Sequence, residues 1–156
     1  MDLRTVAVVT VHLALFAIAC RLVAVDIRTH RLPNRIVLPT LAALIVLGVV
    51  DAITVGQSAP LIRAVSGLLI LGGFYATLRL LSRDGMGGGD VKLAAVIGLV
   101  LGWHSWQALA VGAASAFVLG AVFSLALMML RRADGSTRIA FGPWMIIGAL
   151  LGILME

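Results

Sequence analysis

Along the chain, long apolar runs alternate with short polar breaks that carry most of the charge. Apolar residues dominate about 5–25, 36–55, 61–81, 91–103, 107–130 and 139–155. Most of these runs reach roughly 20 residues, the length an α-helix needs to cross a hydrocarbon core of roughly 30 Å. Gln107 to Leu130 contains no charged residue, which makes the fifth run the clearest span. The fourth is too short to cross alone unless it tilts, thins the bilayer or continues toward Trp106. The pattern predicts an all-α, polytopic integral membrane protein with about six transmembrane helices. Nothing outside these runs is long enough for a second unit, so residues 1–156 are read as a single membrane-embedded domain.

Composition sharpens this picture. The chain is 62% hydrophobic and only 12% charged, against roughly 25% charged in soluble domains. The net charge of +5 is no nucleic-acid footprint, because the basic residues sit in clusters between apolar runs. Arg21, Arg28, Arg31 and Arg35 surround the first connection, Arg79, Arg83 and Lys92 the third, and Arg131, Arg132 and Arg138 the fifth. Only Arg4 and Arg63 fall on the other side. The positive-inside rule therefore predicts a multi-pass protein of the inner membrane, with connections one, three and five cytoplasmic and both termini outside. Trp103 and Trp106 fit the outer interface, where amphipathic rings anchor span ends.

Cys20 is the sole cysteine, so neither an intramolecular disulfide nor a cysteine zinc site is available. "FAIAC" faintly resembles a lipoprotein processing site. Ala17 stands where a large aliphatic residue is usual, however, and the apolar run continues past Arg21 to Val25, so the first segment is read as retained. Gly98 and Gly102, and Gly148 and Gly152, are small-residue pairs four apart. Such pairs serve either a homo-oligomer or close packing within one chain, and the second reading is favoured.

Seven acidic residues are present. Asp2 and Glu156 are terminal, Asp51 lies near an outer loop, and Asp84 and Asp134 sit beside arginines. Asp26 and Asp90 remain, each where a span meets the cytoplasmic side. For Asp26, in "VAVDIRTHRLPNRI", two readings stand: a helix end wetted by the interface and paired with Arg28 or Arg31, or a functional carboxylate. Pro33 cannot continue a helix and pushes Leu32 toward extended backbone, so Asp26 to Arg35 reads as a turn between spans. Asp90 ends the stretch "GMGGGD". Gly87, Gly88 and Gly89 permit positive φ and close backbone approach, so the stretch reads as irregular backbone that cannot hold a helix. Such backbone at membrane depth needs protein or water around it, and a carboxylate there is a functional-site candidate. Two carboxylates brought together cannot comfortably both ionise, so the pair would hold one proton, with one member as base and the other as acid. That is aspartic protease chemistry.

The residues also carry a resemblance. Gly87–Gly88–Gly89–Asp90, running on to Lys92, resembles the Gly-x-Gly-Asp motif of the type IV prepilin peptidases, a family of membrane aspartyl proteases. Asp26 followed seven residues later by Pro33, with Asn34, is similar to the family's first-aspartate motif. "FGPWMIIGALLG", Phe141 to Gly152, is similar to its last-helix signature. The resemblance implies a catalytic pair, Asp26 and Asp90, supported by Gly87, Gly88, Gly89, Lys92, Pro33 and Asn34. It implies cleavage of short basic leaders from prepilins or pilin-like proteins at the cytoplasmic face, after a glycine and before an apolar helix. It implies no metal and no cofactor; the other partners expected are the lipid bilayer and, as an open alternative, a second copy in a homo-oligomer, and nucleic acid is not one. Lys92 reads either as favouring an ionised partner or as one more positive-inside charge. Longer members carry a cysteine-containing insertion and also methylate the new N-terminus using S-adenosylmethionine. Nothing in these residues corresponds to that insertion, so a short, peptidase-only form is expected. Archaeal preflagellin peptidases share the chemistry.

The rival class is a small proton- or cation-coupled transporter or channel component using both aspartates as ion sites. Position discriminates, since a transporter places its acids near the midplane. His12, His30 and His104 are read as scattered over different segments and both faces, with neither a metal cluster nor a catalytic triad among them.

Overall fold

The computed structural model describes residues 3–29, 32–81, 87–130 and 141–156. Among these described residues six helices follow in order: α1 (Leu3–Thr29), α2 (Asn34–Val55), α3 (Ala59–Leu81), α4 (Gly88–His104), α5 (Trp106–Met129) and α6 (Gly142–Leu154). The described residues hold no strand. Each apolar run becomes one helix, with ends displaced by a few residues. α1, α2, α3 and α5 are long and apolar enough to cross a membrane. The protein is therefore a multi-pass, all-α membrane protein. Arg31, Arg83, Arg131, Arg132, Arg138, Asp84, Asp134, His30 and the Gly85–Met86 start of the glycine stretch lie outside the described residues.

Local signals account for the helix ends. Pro33 caps α2 in extended backbone, at φ −72° and ψ 121°, and its carbonyl accepts from Ile36 and Val37. Gly56 closes α2 at φ 71°, a left-handed conformation that favours glycine. Ser105 separates α4 from α5, and its hydroxyl accepts the Ala108 N–H at 2.9 Å.

α4 is the centre of the molecule. It packs most closely on α3 and also touches α2, α5 and α6. Leu93, Ala94, Val96, Ile97, Leu99 and Leu101 are all buried. This resolves the shortness of the fourth run: a helix enclosed by other helices has no lipid thickness to match. At 17 residues it is about 25 Å long. Its last carbonyls, which no further turn could bond, accept from Arg63 of α3. The guanidinium reaches the oxygens of Gly102 (2.6 Å), Trp103 (2.7 Å) and His104 (2.6 Å).

The small-residue pairs pack within the chain. α3 and α4 cross with Gly67 against Gly98, and a Cβ on Gly102 would lie 2.6 Å from the Arg63 carbonyl. Between α5 and α6, a Cβ on Gly148 would lie 2.6 Å from the Gly112 carbonyl, and one on Gly152 2.5 Å from that of Ala108. Only glycine lets these backbones approach so closely.

Alternating helix directions sort the ends. Arg4 pairs with Asp51 at 3.0 Å, and Gln107 donates to the Met155 carbonyl, so Arg4, Asp51, Arg63, His104 and Glu156 share one end. Asp26, Asn34, Asp90, Lys92 and Gly142 share the other.

Gly67→Ala should lower the melting temperature in detergent, because the added methyl meets α4 backbone; overpacking of this kind costs about 1–3 kcal/mol. Gly73→Ala, where a Cβ meets nothing within 4 Å, should be neutral or stabilise by up to about 1 kcal/mol. Equal melting shifts for the two variants would contradict the close α3–α4 crossing.

Candidate active site

Three helix starts and one helix end meet at the second end of the bundle. Asp26 lies in the last turn of α1 and is only 4% exposed. Its Oδ2 accepts the backbone N–H of Gly142, the first residue of α6, at 3.1 Å. A helix N-terminus presents unpaired N–H groups and a positive partial charge, a natural seat for a carboxylate. Gly142 has to be glycine here, since a Cβ would fall 2.5 Å from Asp26 Oδ2.

Asp90 is partly buried in the first turn of α4. The two acids lie close enough for the charge of Asp26 to act on Asp90. Asp90 stands at the rim of α4, outside the four helices long enough to cross a membrane. Its carboxyl is pushed up from 3.8 to about 6. Burial is the larger cause, because it strips water from the charged form; the negative charge of Asp26 adds to it. A hydrogen bond with the Gly87 backbone opposes both.

Tyr75 of α3 completes the floor. It is 1% exposed, and its ring centroid lies 5.5 Å from that of Phe117 and 6.1 Å from that of Phe141. Its phenol is within reach of the charge on Asp90.

The glycine run behaves differently from the sequence-based expectation. Gly87 is the cap of α4 in extended backbone, at φ −69° and ψ 144°, but Gly88 and Gly89 are helical. Among the described residues the only glycine with positive φ is Gly56. Gly88 and Gly89 are therefore not irregular backbone, and the glycines of the described part are needed for missing side chains instead. A Cβ on Gly89 would sit 2.7 Å from the Leu32 Cβ and 3.1 Å from its backbone nitrogen. One on Gly88 would meet the Arg79 guanidinium, and one on Gly87 would lie 3.3 Å from Asp90 Oδ2. These absences let the start of α4 press against the α1–α2 connection.

One further expectation changes: α1 runs on to Thr29, with Asp26 in its last turn and buried rather than wetted by the interface. Lys92 Nζ donates to Asn34 Oδ1 at 2.7 Å. Its ammonium thus ties the first turn of α4 to the first residue of α2, beside Pro33.

Sequence reasoning missed Gly142 and Tyr75. Gly142 lay within a recognised motif, and its place before Pro143 at a helix start was the available signal. Tyr75 is the only tyrosine of the chain, set in an apolar run where a phenol needs polar company. His12 and His104, in different helices, also meet, Nε2 to Nε2 at 3.1 Å, at the opposite end of the bundle, a pairing the sequence did not suggest.

A family model described as the type IV leader peptidase family matches residues 13–153. Among curated proteins, the chain is 33% identical over 142 residues to a prepilin leader peptidase/N-methyltransferase of Dickeya chrysanthemi, covering 90% of this chain and 49% of that protein. The protein of the same name from Aeromonas salmonicida (strain A449) is 32% identical over 132 residues, 83% of this chain and 44% of the relative. That of Bacillus subtilis (strain 168) is 34% identical over 132 residues, 83% and 49%. The chain thus spans about half the length of the curated relatives it matches. No solved structure matches it significantly.

Infrared titration of the isotope-edited Asp90 carboxyl should show the protonated band at lower pH and its loss as pH rises through about 6. Asp26→Asn removes a like charge and should move that loss to lower pH. A titration unmoved by Asp26→Asn would mean that the two acids are not coupled. Gly142→Ala should destabilise the protein by about 1–3 kcal/mol, since the methyl displaces the buried carboxylate from its donor, as a detergent melting curve would register.

Proposed function

The chain belongs to the type IV leader peptidase family, and from that premise we propose that it is a membrane aspartic endopeptidase that removes the leader from type IV prepilins or pilin-like proteins. The observation that carries the reading is the pairing of Asp26 with Asp90: two acids far apart in sequence, one fully buried, lie within electrostatic reach at one end of the bundle.

In the proposed mechanism the pair holds one proton. Asp26, whose oxygen already accepts the Gly142 N–H, acts as the base. It takes a proton from water as the water oxygen attacks the scissile carbonyl carbon. Asp90 supplies its proton to the carbonyl oxygen, so that a neutral tetrahedral diol forms. Collapse of the diol breaks the C–N bond, and the proton held by Asp26 passes to the leaving amine. Asp90 recovers its own from the diol hydroxyl, which restores the one-proton pair. Coupling of the acids, and the displacement of Asp90 toward its protonated form, support this division of roles.

Gly87, Gly88, Gly89, Pro33, Asn34 and Lys92 are assigned to holding the acids in place. The glycines bring Asp90 against the α1–α2 connection, and the Lys92–Asn34 hydrogen bond fastens that approach. The concentration of Lys and Arg around connections one, three and five supports a cytoplasmic position for this end, with both termini outside. The ion-coupled transporter reading loses its support, because both acids stand at helix ends rather than near the middle of a span.

Asp26→Asn and Asp90→Asn should each abolish processing of a co-expressed prepilin while leaving membrane insertion and melting behaviour intact. Loss of one member of a concerted acid–base pair costs on the order of 10²–10⁴ in rate. An immunoblot following the leader-dependent mobility shift reads the outcome, and a normal rate in either variant would remove the pair from the mechanism.

A further inference from the structure

α1 carries one of the two acids, yet it is the most loosely held of the helices. Its close backbone neighbour is α6, and α2, α3, α4 and α5 stand further from it. Two cavities of about 130 and 170 Å³ open alongside it, both lined by side chains of α1, α2 and α4. Apolar packing alone therefore does not key α1 to α4. His12 lines both cavities, and it is there that α1 reaches across to His104.

The spacing makes this contact a register mark. Fourteen residues separate His12 from Asp26 in α1, and fourteen separate Asp90 from His104 in α4. The helices run in opposite directions, so equal spans of about 21 Å carry one acid and one histidine each. The histidines meet at one end and the acids at the other. A slip of one residue would displace Asp26 by about 1.5 Å along α1.

Hydrogen-bond chemistry defines the contact. His12 Nδ1 faces the Val8 carbonyl at 2.8 Å, and His104 Nδ1 faces the Glu156 carboxylate at 3.0 Å. Both partners accept, so both Nδ1 atoms carry hydrogen, and the facing Nε2 atoms bond only with a single proton between them. A proton on each Nε2 would set two donors face to face, and a proton on neither would set two lone pairs face to face. The other charged groups around the pair are the Arg4–Asp51 ion pair between α1 and α2, and Arg63 of α3, which donates to the His104 carbonyl.

We propose that His12 and His104 are positioning residues: their shared proton fixes the register of α1 against α4 and so holds Asp26 opposite Asp90 from the far end of the bundle. The inference rests on the peptidase reading for its effect on catalysis, but the register itself is measurable without it. Spin labels at Arg28→Cys in α1 and Leu80→Cys in α3, in a Cys20→Ser background, report the position of α1 against the α3–α4 pair. Leu80 is 83% exposed, and Arg28 is exposed at its helix end. The distance distribution should be narrow in the unsubstituted protein. His12→Ala should broaden it. His12→Gln, whose amide both donates and accepts, should restore the narrow distribution.

On leader peptides, His12→Ala should lower kcat by up to about 10²-fold, the effect of misplacing reacting groups by an ångström, with KM unchanged; His12→Gln should recover most of it. Unchanged distances and kcat in His12→Ala overturn the proposal, as does broadening that neither His12→Gln nor His104→Gln repairs. If the unsubstituted protein cuts no leader peptide, the peptidase reading fails, while the distance measurements still decide whether the histidines set the register.

Discussion

A carboxylate removed from water is costly unless donors and compensating charge replace its hydration. The site of this protein is organised around that constraint. Asp26 is 4% exposed, and the N-terminus of α6 is aimed at it through the Gly142 N–H. α6 can present that end only because residue 142 lacks a side chain and because α6 packs closely on α5 through Gly148 and Gly152. The carboxylate thus sits where two helices of opposite direction meet, and its seat depends on glycines from both the rim and the interior of the bundle.

The second acid is delivered by a different device. α4 is short and enclosed on several sides, and at its far end Arg63 closes the carbonyls that a longer helix would have bonded itself. Its near end meets the α1–α2 connection at Leu32, where Gly89 leaves room, and the Lys92–Asn34 bond fastens the approach. Close backbone packing between α3 and α4 makes this hairpin the most tightly packed part of the described residues, and α1 is packed more loosely. Two carboxylates in unlike surroundings are the arrangement that, in the proposed mechanism, divides acid and base roles between chemically identical groups.

Some of this is legible in the amino-acid order. Six apolar runs and the Pro33 break follow from hydrophobic length and proline sterics, both local properties, and each has its counterpart in the helices observed. Asp26 and Asp90 stood out because charge at the edge of an apolar run demands an explanation. The glycine run, by contrast, was read through backbone freedom, whereas Gly88 and Gly89 are helical and matter for what they leave out. A missing Cβ has no signature along the chain; its meaning lies in the atom that would otherwise occupy the space.

The same distinction separates the rest. The amino-acid order determined which segments enter the membrane, where they stop and which acids are out of place, because each of these is settled by residues within a turn or two. Only the packing of the helices decided that Lys92 answers Asn34 rather than an acid, that Tyr75 and Gly142 face the aspartates, and that His12 reaches His104 across 92 positions. Such pairings depend on the angle and register at which separate helices meet. Those are fixed by interdigitating surfaces contributed from the whole chain, and no local pattern encodes them.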